Sequence, residues 1–299
     1  MMTVEEKMEP SRIQWRTKIK AYIELLKLRL AVIVGLSGAL GYMLATSGTY
    51  SFGMILLFSI SGLMITGAAN ATNQALEVEL DRMMNRTGKR PLPSGRLSKR
   101  SALYFAGVLL FLGTLIQALW FNPFTAAISF VSYLLYSFAY TPLKRVGPIA
   151  VFVGAIPGGL PPLIGCVAAK GTIDMEALVL FAVQFVWQFP HFWAIAWVLD
   201  DDYKKAGFRL LPLDNAKSLN TALIVLSFTL VLLPISILPM QLGFTGNASA
   251  WVAAVAGLGF LYLNFRLVKQ GTDRNALRLM FGSFLYLPIV QIAYVLDKL

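Results

Sequence analysis

The residues best suited to chemistry lie where apolar stretches end. Asn73, Glu77 and Asp81 recur at four-residue intervals in Asn70-Ala-Thr-Asn73-Gln-Ala-Leu-Glu77-Val-Glu-Leu-Asp81. A continuous helix stacks such residues on one face, and Asn70 joins that face three residues earlier. Glu79 falls off it and reads as solvated. A polar stripe at a helix end is often only a solvated terminus. Here Leu76, Val78 and Leu80 keep the surroundings apolar, where unpaired carboxylates are costly unless a cation joins them. An oxygen-only donor set suits a hard ion, and magnesium shared with a phosphorylated substrate is its usual form. Asn73, Glu77 and Asp81 are therefore the first candidate metal ligands and catalytic residues.

The chain continues Asp81-Arg82-Met-Met-Asn85-Arg86-Thr-Gly-Lys89-Arg90-Pro-Leu-Pro-Ser-Gly. A plain excess of cytoplasmic cations explains the charge but not this mixture of acid, base, glycine and proline. The composition predicts an ordered loop able to grip a diphosphate, with arginine suited to bidentate contacts. Arg86, Lys89 and Arg90 are the candidates.

A second cluster follows another apolar stretch: Trp187-Gln-Phe-Pro190-His191-Phe-Trp, then Asp200-Asp201-Asp202-Tyr203-Lys204-Lys205-Ala-Gly207. Eleven residues separate His191 from Asp202, almost three whole turns, so a regular helix puts both on one face. Asp201 is then rotated about 80° away. Pro190 removes a backbone bond and predicts a kink. The single histidine reads either as a buried hydrogen-bonding residue or as a group that orients a flat aromatic ligand or moves a proton. One histidine and one cysteine are too few for a permanent transition-metal site. Two carboxylate clusters and a basic loop facing one pocket fit magnesium-diphosphate chemistry, with apolar helices holding a greasy tail and excluding water from a carbocation.

The elements that must position these groups are transmembrane helices. Of the 299 residues 57% are hydrophobic and 14% charged, against about 25% charged in soluble domains. Apolar stretches fall near 29–47, 52–76, 101–120, 123–140, 148–169, 175–199, 219–240, 248–268 and 276–296, which predicts an all-α polytopic membrane protein of nine transmembrane helices. With the N-terminus inside, all 26 Lys and Arg except Lys170 and Lys298 fall in cytoplasmic segments. That asymmetry predicts N-in, C-out. The net charge of +11 is thereby read as membrane orientation, not nucleic-acid binding. Cys166 has no partner for an internal disulfide. Met1–Gln14 is polar and reads as no cleavable signal. The expected division is a cytoplasmic segment, 1–28, and a single transmembrane domain, 29–299.

Taken together, these motifs resemble the UbiA-type membrane prenyltransferases over nearly the whole chain. Asn73, Glu77 and Asp81 correspond to the family's Asn/Asp-rich motif. Met84, Arg86, Thr87, Arg90 and Pro91 match its Met-x-Arg-Thr-x-x-Arg-Pro stretch. Tyr140-Thr-Pro-Leu-Lys144-Arg145 matches the family's Tyr-Thr-Pro-Leu-Lys-Arg turn, and Gly154 to Gly165 its Gly/Pro-rich fifth span. Trp187-Gln-Phe-Pro-His-Phe-Trp followed by Asp202-Tyr203-Lys-Lys-Ala-Gly207 is similar to the branch that farnesylates protohaem. Many bacterial members carry Asn-Asn-x-x-Asp where this chain has Asn73-Gln74-Ala-Leu-Glu77, which keeps a carboxylate in place.

The resemblance implies a UbiA-type bundle in the cell inner membrane. It implies farnesyl transfer from farnesyl diphosphate to a vinyl group of haem B, which is a substrate here, with water addition giving haem O. Magnesium would be held by Asn73, Glu77 and Asp81, with Asp202 as a second-cluster ligand and His191 as a catalytic candidate. Arg86, Lys89, Arg90, Lys144, Arg145, Tyr140, Asp201, Tyr203 and Lys204 would be the substrate-binding candidates, divided in some way between diphosphate and haem propionates. Haem A synthase or oxidase assembly proteins are the implied partners. The competing readings are a prenyltransferase acting on a quinone precursor and, in a different class, an ion-coupled transporter. The clustering of charge at the cytoplasmic end disfavours the transporter.

Overall fold

The computed structural model describes residues 4–213 and 215–299, with side chains described from residue 15; the side chains of Met1–Gln14 lie outside the described residues. Among the described residues nine helices are long and apolar enough to cross a membrane. In order these spans are Leu28–Ala45, Phe52–Leu76, Lys99–Trp120, Pro123–Leu143, Ile149–Lys170, Met175–Val198, Leu219–Gln241, Asn247–Gln270 and Asp273–Leu296. Each coincides with one of the nine apolar stretches. A further helix, Val4–Leu26, precedes them, and two short ones, Val78–Met83 and Asp200–Lys205, follow the second and sixth spans.

Helix dominates because a lipid-exposed backbone must satisfy its own hydrogen bonds. Asn122 accepts from Thr125 N–H at 2.8 Å and starts the fourth span, with Pro123 at its first turn. That cap and proline separate the third span from the fourth.

The fifth and sixth spans form the centre. Two-thirds of their membrane windows is buried (67% each), against 22% for the third span. The first span packs on the fifth, the second on the third, and the ninth on the eighth, sixth and first. Small residues bring the first and fifth spans together. A Cβ on Gly41 would lie 2.2 Å from the Pro162 carbonyl oxygen, and one on Gly165 would lie 2.1 Å from that of Gly38. Without a hydrophobic drive between helices in lipid, such close packing and interhelical hydrogen bonds hold the bundle. Gln291 donates to Ser37 Oγ and Gln184 Oε1 at 3.0 and 2.9 Å, and Gln184 donates to the Gly158 carbonyl at 2.8 Å. These buried polar contacts tie spans one, five, six and nine.

Both chemistry-bearing helices break where the sequence predicts continuity. The second span ends at Glu77 (φ −103°, ψ 17°) before Val78–Met83 begins. The sixth ends at Leu199 (φ −102°, ψ 10°) before Asp200–Lys205. The second break removes the regular helix on which a shared His191–Asp202 face depends.

Candidate active site

One cavity of about 320 Å³ collects most of the predicted residues. Asn73 and Glu77 enter it from the end of the second span, and Asp81 from the short helix beyond. Arg86 and Arg90 come from the following loop, Tyr140 and Lys144 from the end of the fourth span, and Tyr203 from the segment after the sixth. Ends of even-numbered spans all lie on one side of an antiparallel bundle, so the topology itself gathers these groups.

The local geometry is tightly paired. Lys144 Nζ lies 2.8 Å from Glu77 Oε1 and 2.9 Å from Oε2. Arg90 Nη1 donates to both oxygens of Asp81 at 2.9 and 2.8 Å, and Asp81 is fully buried. Asn73 Nδ2 donates to Glu77 Oε2 at 2.9 Å and to Thr141 Oγ1 at 3.0 Å. Thr141 in turn donates to the Tyr136 carbonyl at 2.9 Å. The Lys144 ammonium sits 5.0 Å from the Tyr140 ring centroid and 5.5 Å from that of Phe208.

The fourth span changes pitch to supply these groups. Leu135–Tyr140 is a π-helical turn, a form that recurs at functional sites. It brings Tyr136 and Tyr140 into the cavity together, with ring centroids 5.4 Å apart. A Cβ on Gly154 would come within 2.6 Å of Tyr140, so that glycine makes room for the ring.

The donor set fits magnesium. Asn73, Glu77 and Asp81 offer an amide and two buried carboxylates, all oxygen. Glu77 Oε1 is buried and accepts no hydrogen bond with proper geometry although an ammonium is near. Among the described residues no group of three His, Cys, Asp or Glu forms a cage. This agrees with magnesium's habit of using one or two carboxylates and taking the rest from phosphate and water.

Several predicted residues stand elsewhere. Asp202 does not line the cavity. It accepts the backbone N–H groups of Asn85 and Arg86 at 2.8 and 3.2 Å, and Lys205 at 3.4 Å. Burial alone would raise its carboxyl, but these donors hold it below the usual range. Asp202, expected as a metal ligand, thus ties the segment after the sixth span to the loop after the second. Lys204 pairs with Asp200 at 2.7 Å, and Asp201, Lys89 and Arg145 are exposed outside the cavity. Glu79 is exposed and pairs with Arg82, as its place off the stripe predicts.

His191 is buried one aromatic layer behind the cavity. Its Nδ1 is 2.7 Å from Ser283 Oγ, and its ring stacks on Trp187 at 4.6 Å. Phe192 lies between it and Tyr140, with centroids 5.7 and 6.4 Å away.

Lys27, Leu30, Met84, Tyr136, Phe208 and Leu210 also line the cavity and are absent from the sequence candidates. Lys27 occupies the left-handed region (φ 50°, ψ 53°) between the N-terminal helix and the first span. Burial, reinforced by the Arg90 and Lys144 cations, pushes its ammonium down to about 7, with Glu77 and Asp81 pulling the other way. Counted only as one more boundary cation, Lys27 gives no signal in the sequence. Lys27 and Leu30 also border a second, more open groove of about 490 Å³ beside the N-terminal helix.

Residues 32–287 match the model of the UbiA prenyltransferase family. The chain belongs to the UbiA prenyltransferase family. Among its UbiA relatives, the protoheme IX farnesyltransferase of Cytophaga hutchinsonii is 48% identical over 283 residues, spanning 95% of this chain and 99% of that one. That of Christiangramia forsetii is 43% identical, covering 92% of each. A structure of digeranylgeranylglyceryl phosphate synthase shares the fold with a TM-score of 0.77 at 22% identity, covering 94% of this chain and 98% of that one. A UbiA homologue from Archaeoglobus fulgidus bound to GPP and Mg2+ shares it with a TM-score of 0.69 at 14% identity, covering 92% and 99%. The chain is a multi-pass membrane prenyltransferase.

Proposed function

We propose that this UbiA-family chain transfers the farnesyl group of farnesyl diphosphate to a vinyl group of haem B, yielding haem O and diphosphate. The observation that carries the prenyl-transfer chemistry is the convergence of two buried carboxylates, four cations and three tyrosines in one cavity at the ends of apolar helices. The acceptor assignment is supported by full-length relatives at 40–48% identity named protoheme IX farnesyltransferase.

Asn73, Glu77 and Asp81 would hold magnesium, which when bound neutralises the diphosphate and favours its departure. Lys27, Arg86, Arg90 and Lys144 face the same cavity and stabilise charge on the leaving group. As the C1–O bond breaks, positive charge spreads over the allylic group, and the rings of Tyr136 and Tyr140 offer it an electron-rich wall. The vinyl electrons form the new bond to C1 and leave a cation on the ring-side vinyl carbon. Water adds there and loses a proton, leaving the hydroxyl. Phe208, Leu210 and Met84 keep bulk water from the first cation.

The orientation reading is N-terminus cytoplasmic and C-terminus external, in the cell inner membrane. It is supported by the charge asymmetry and by the gathering of even-numbered span ends at the cavity. Reporters after Gly95 or Gly207 should read cytoplasmic, and one at Thr245 external; the reverse pattern would overturn it. The function is tested by expressing the chain in a host without haem O and extracting its haems. Haem O should appear with the native chain and be lost with Asp81→Asn. Its absence with a correctly inserted native chain would refute the acceptor assignment.

A further inference from the structure

The end of the second span has two working faces. Asn73 and Glu77 face the cavity. Asn70, expected from its spacing on that same face, instead turns the other way with Gln74, and both meet the end of the N-terminal helix. Asn70 Nδ2 donates to the Leu26 carbonyl at 3.0 Å, and Gln74 Nε2 donates to the Leu25 carbonyl at 2.9 Å. Gln74 also donates to the Asn70 carbonyl at 3.2 Å. Both side chains are 1% exposed, so these bonds have no water to replace them.

A helix leaves its last carbonyls unpaired. Here two are capped by carboxamides from another helix, at the point where the chain must reverse into the first span. The reversal is made by Lys27 in the left-handed region, a conformation that crowds the Cβ of any residue but glycine. Its carbonyl then accepts from Leu30 and Ala31 at 2.8 and 3.1 Å and opens the first span. A second grip acts one turn earlier: Arg96 binds both oxygens of Glu24, at 2.6 and 3.0 Å, and donates to the Lys89 carbonyl at 2.9 Å. The turn is therefore fixed from the second span and from the basic loop. It presents Lys27 to the cavity, and Lys27 and Leu30 border both the cavity and the open groove.

We propose that Asn70 and Gln74 are positioning residues for the diphosphate site, acting through Lys27: their carboxamides cap the N-terminal helix and hold the left-handed turn that keeps the Lys27 ammonium in the cavity. The proposal rests on the prenyl-diphosphate reading of the cavity and is independent of the acceptor. The polar motif at the end of the second span thus does two jobs, binding on one face and aiming a cation with the other. Gln74 serves the second.

The test is a double-mutant cycle read by binding of farnesyl diphosphate with magnesium, without acceptor. Gln74→Met keeps the volume and removes the donor; Lys27→Met removes the cation. Each single change should weaken binding by roughly tenfold or more, the order for one hydrogen bond to a charged group. The double variant should bind no more weakly than Lys27→Met alone, since residues acting through one contact are not additive. Turnover at saturating farnesyl diphosphate should change less than twofold in Gln74→Met. Asn70→Leu provides the same cycle from the neighbouring bond. Additive losses, or native affinity in both Gln74→Met and Asn70→Leu, would overturn the proposal. A purely structural role would lower thermal stability and leave the two losses additive. A native chain that binds no farnesyl diphosphate would instead refute the prenyltransferase reading.

Discussion

Lys144 Nζ bridges the two carboxylate oxygens of Glu77 at 2.8 and 2.9 Å, joining the ends of the fourth and second spans across 67 residues of chain. The pair is buried, so each charge depends on the other or on a ligand that replaces it. Lys144→Met should destabilise the protein by about 3 kcal/mol, the low end for a broken buried pair because this one borders a cavity. Magnesium should restore part of the loss by binding Glu77. Thermal scans with and without magnesium check this: the metal should stabilise the variant more than the native chain. An equal shift in both would mean that Glu77 does not meet the ion.

Asp202 gives a sharper discrimination. As a latch on the Asn85 and Arg86 amides it should affect the loop and not the metal. Asp202→Asn leaves one acceptor and turns an amide towards the second N–H. The KM for farnesyl diphosphate should rise by roughly tenfold, the loop 85–95 should become protease-sensitive, and the magnesium concentration for half-maximal activity should stay the same. An increased magnesium requirement with an unchanged loop would return Asp202 to the metal site.

Lys27 predicts a pH dependence. Its ammonium, set near 7 by burial and by Arg90 and Lys144 against Glu77 and Asp81, should be reprotonated by a bound diphosphate. Binding then takes up a proton, and affinity should fall as pH rises above about 7. In the free chain the sign is opposite: the unfolded state holds the extra proton between about 7 and the ordinary lysine value, so stability rises across that window. Lys27→Arg stays charged and should flatten the affinity profile between pH 6.5 and 9. Identical slopes in the two proteins would remove Lys27 from the site.

The bundle was legible in the sequence because lipid imposes a length and a polarity on every span, and all nine stretches recur as helices. The Asn73–Glu77–Asp81 stripe was legible because four-residue spacing survives the break at Glu77. The shared His191–Asp202 face was not legible because it needed a regular helix, and the chain leaves helical geometry at Leu199; Asp202 stands outside the cavity lining. Lys27 and Tyr136 carry no local signal. One depends on a left-handed turn and the other on a π-helical pitch, and both conformations are fixed by packing, beyond the reach of a 3.6-residue period.

His191 stacks on Trp187 and bonds to Ser283 behind the Tyr140–Phe192 layer. His191→Gln should keep farnesyl diphosphate affinity and magnesium dependence, lower thermal stability, and reduce haem O formation only in proportion to folded protein. Collapse of haem O formation at full stability and full farnesyl diphosphate affinity would give the imidazole a direct part in the acceptor chemistry.

The most direct test uses the purified chain with farnesyl diphosphate, magnesium and either haem B or 4-hydroxybenzoate. Diphosphate release should accompany conversion of haem B to haem O, identified by mass, and should stop when magnesium is chelated or Asp81 is replaced by Asn. Prenylation of 4-hydroxybenzoate with haem B left unchanged would contradict the account.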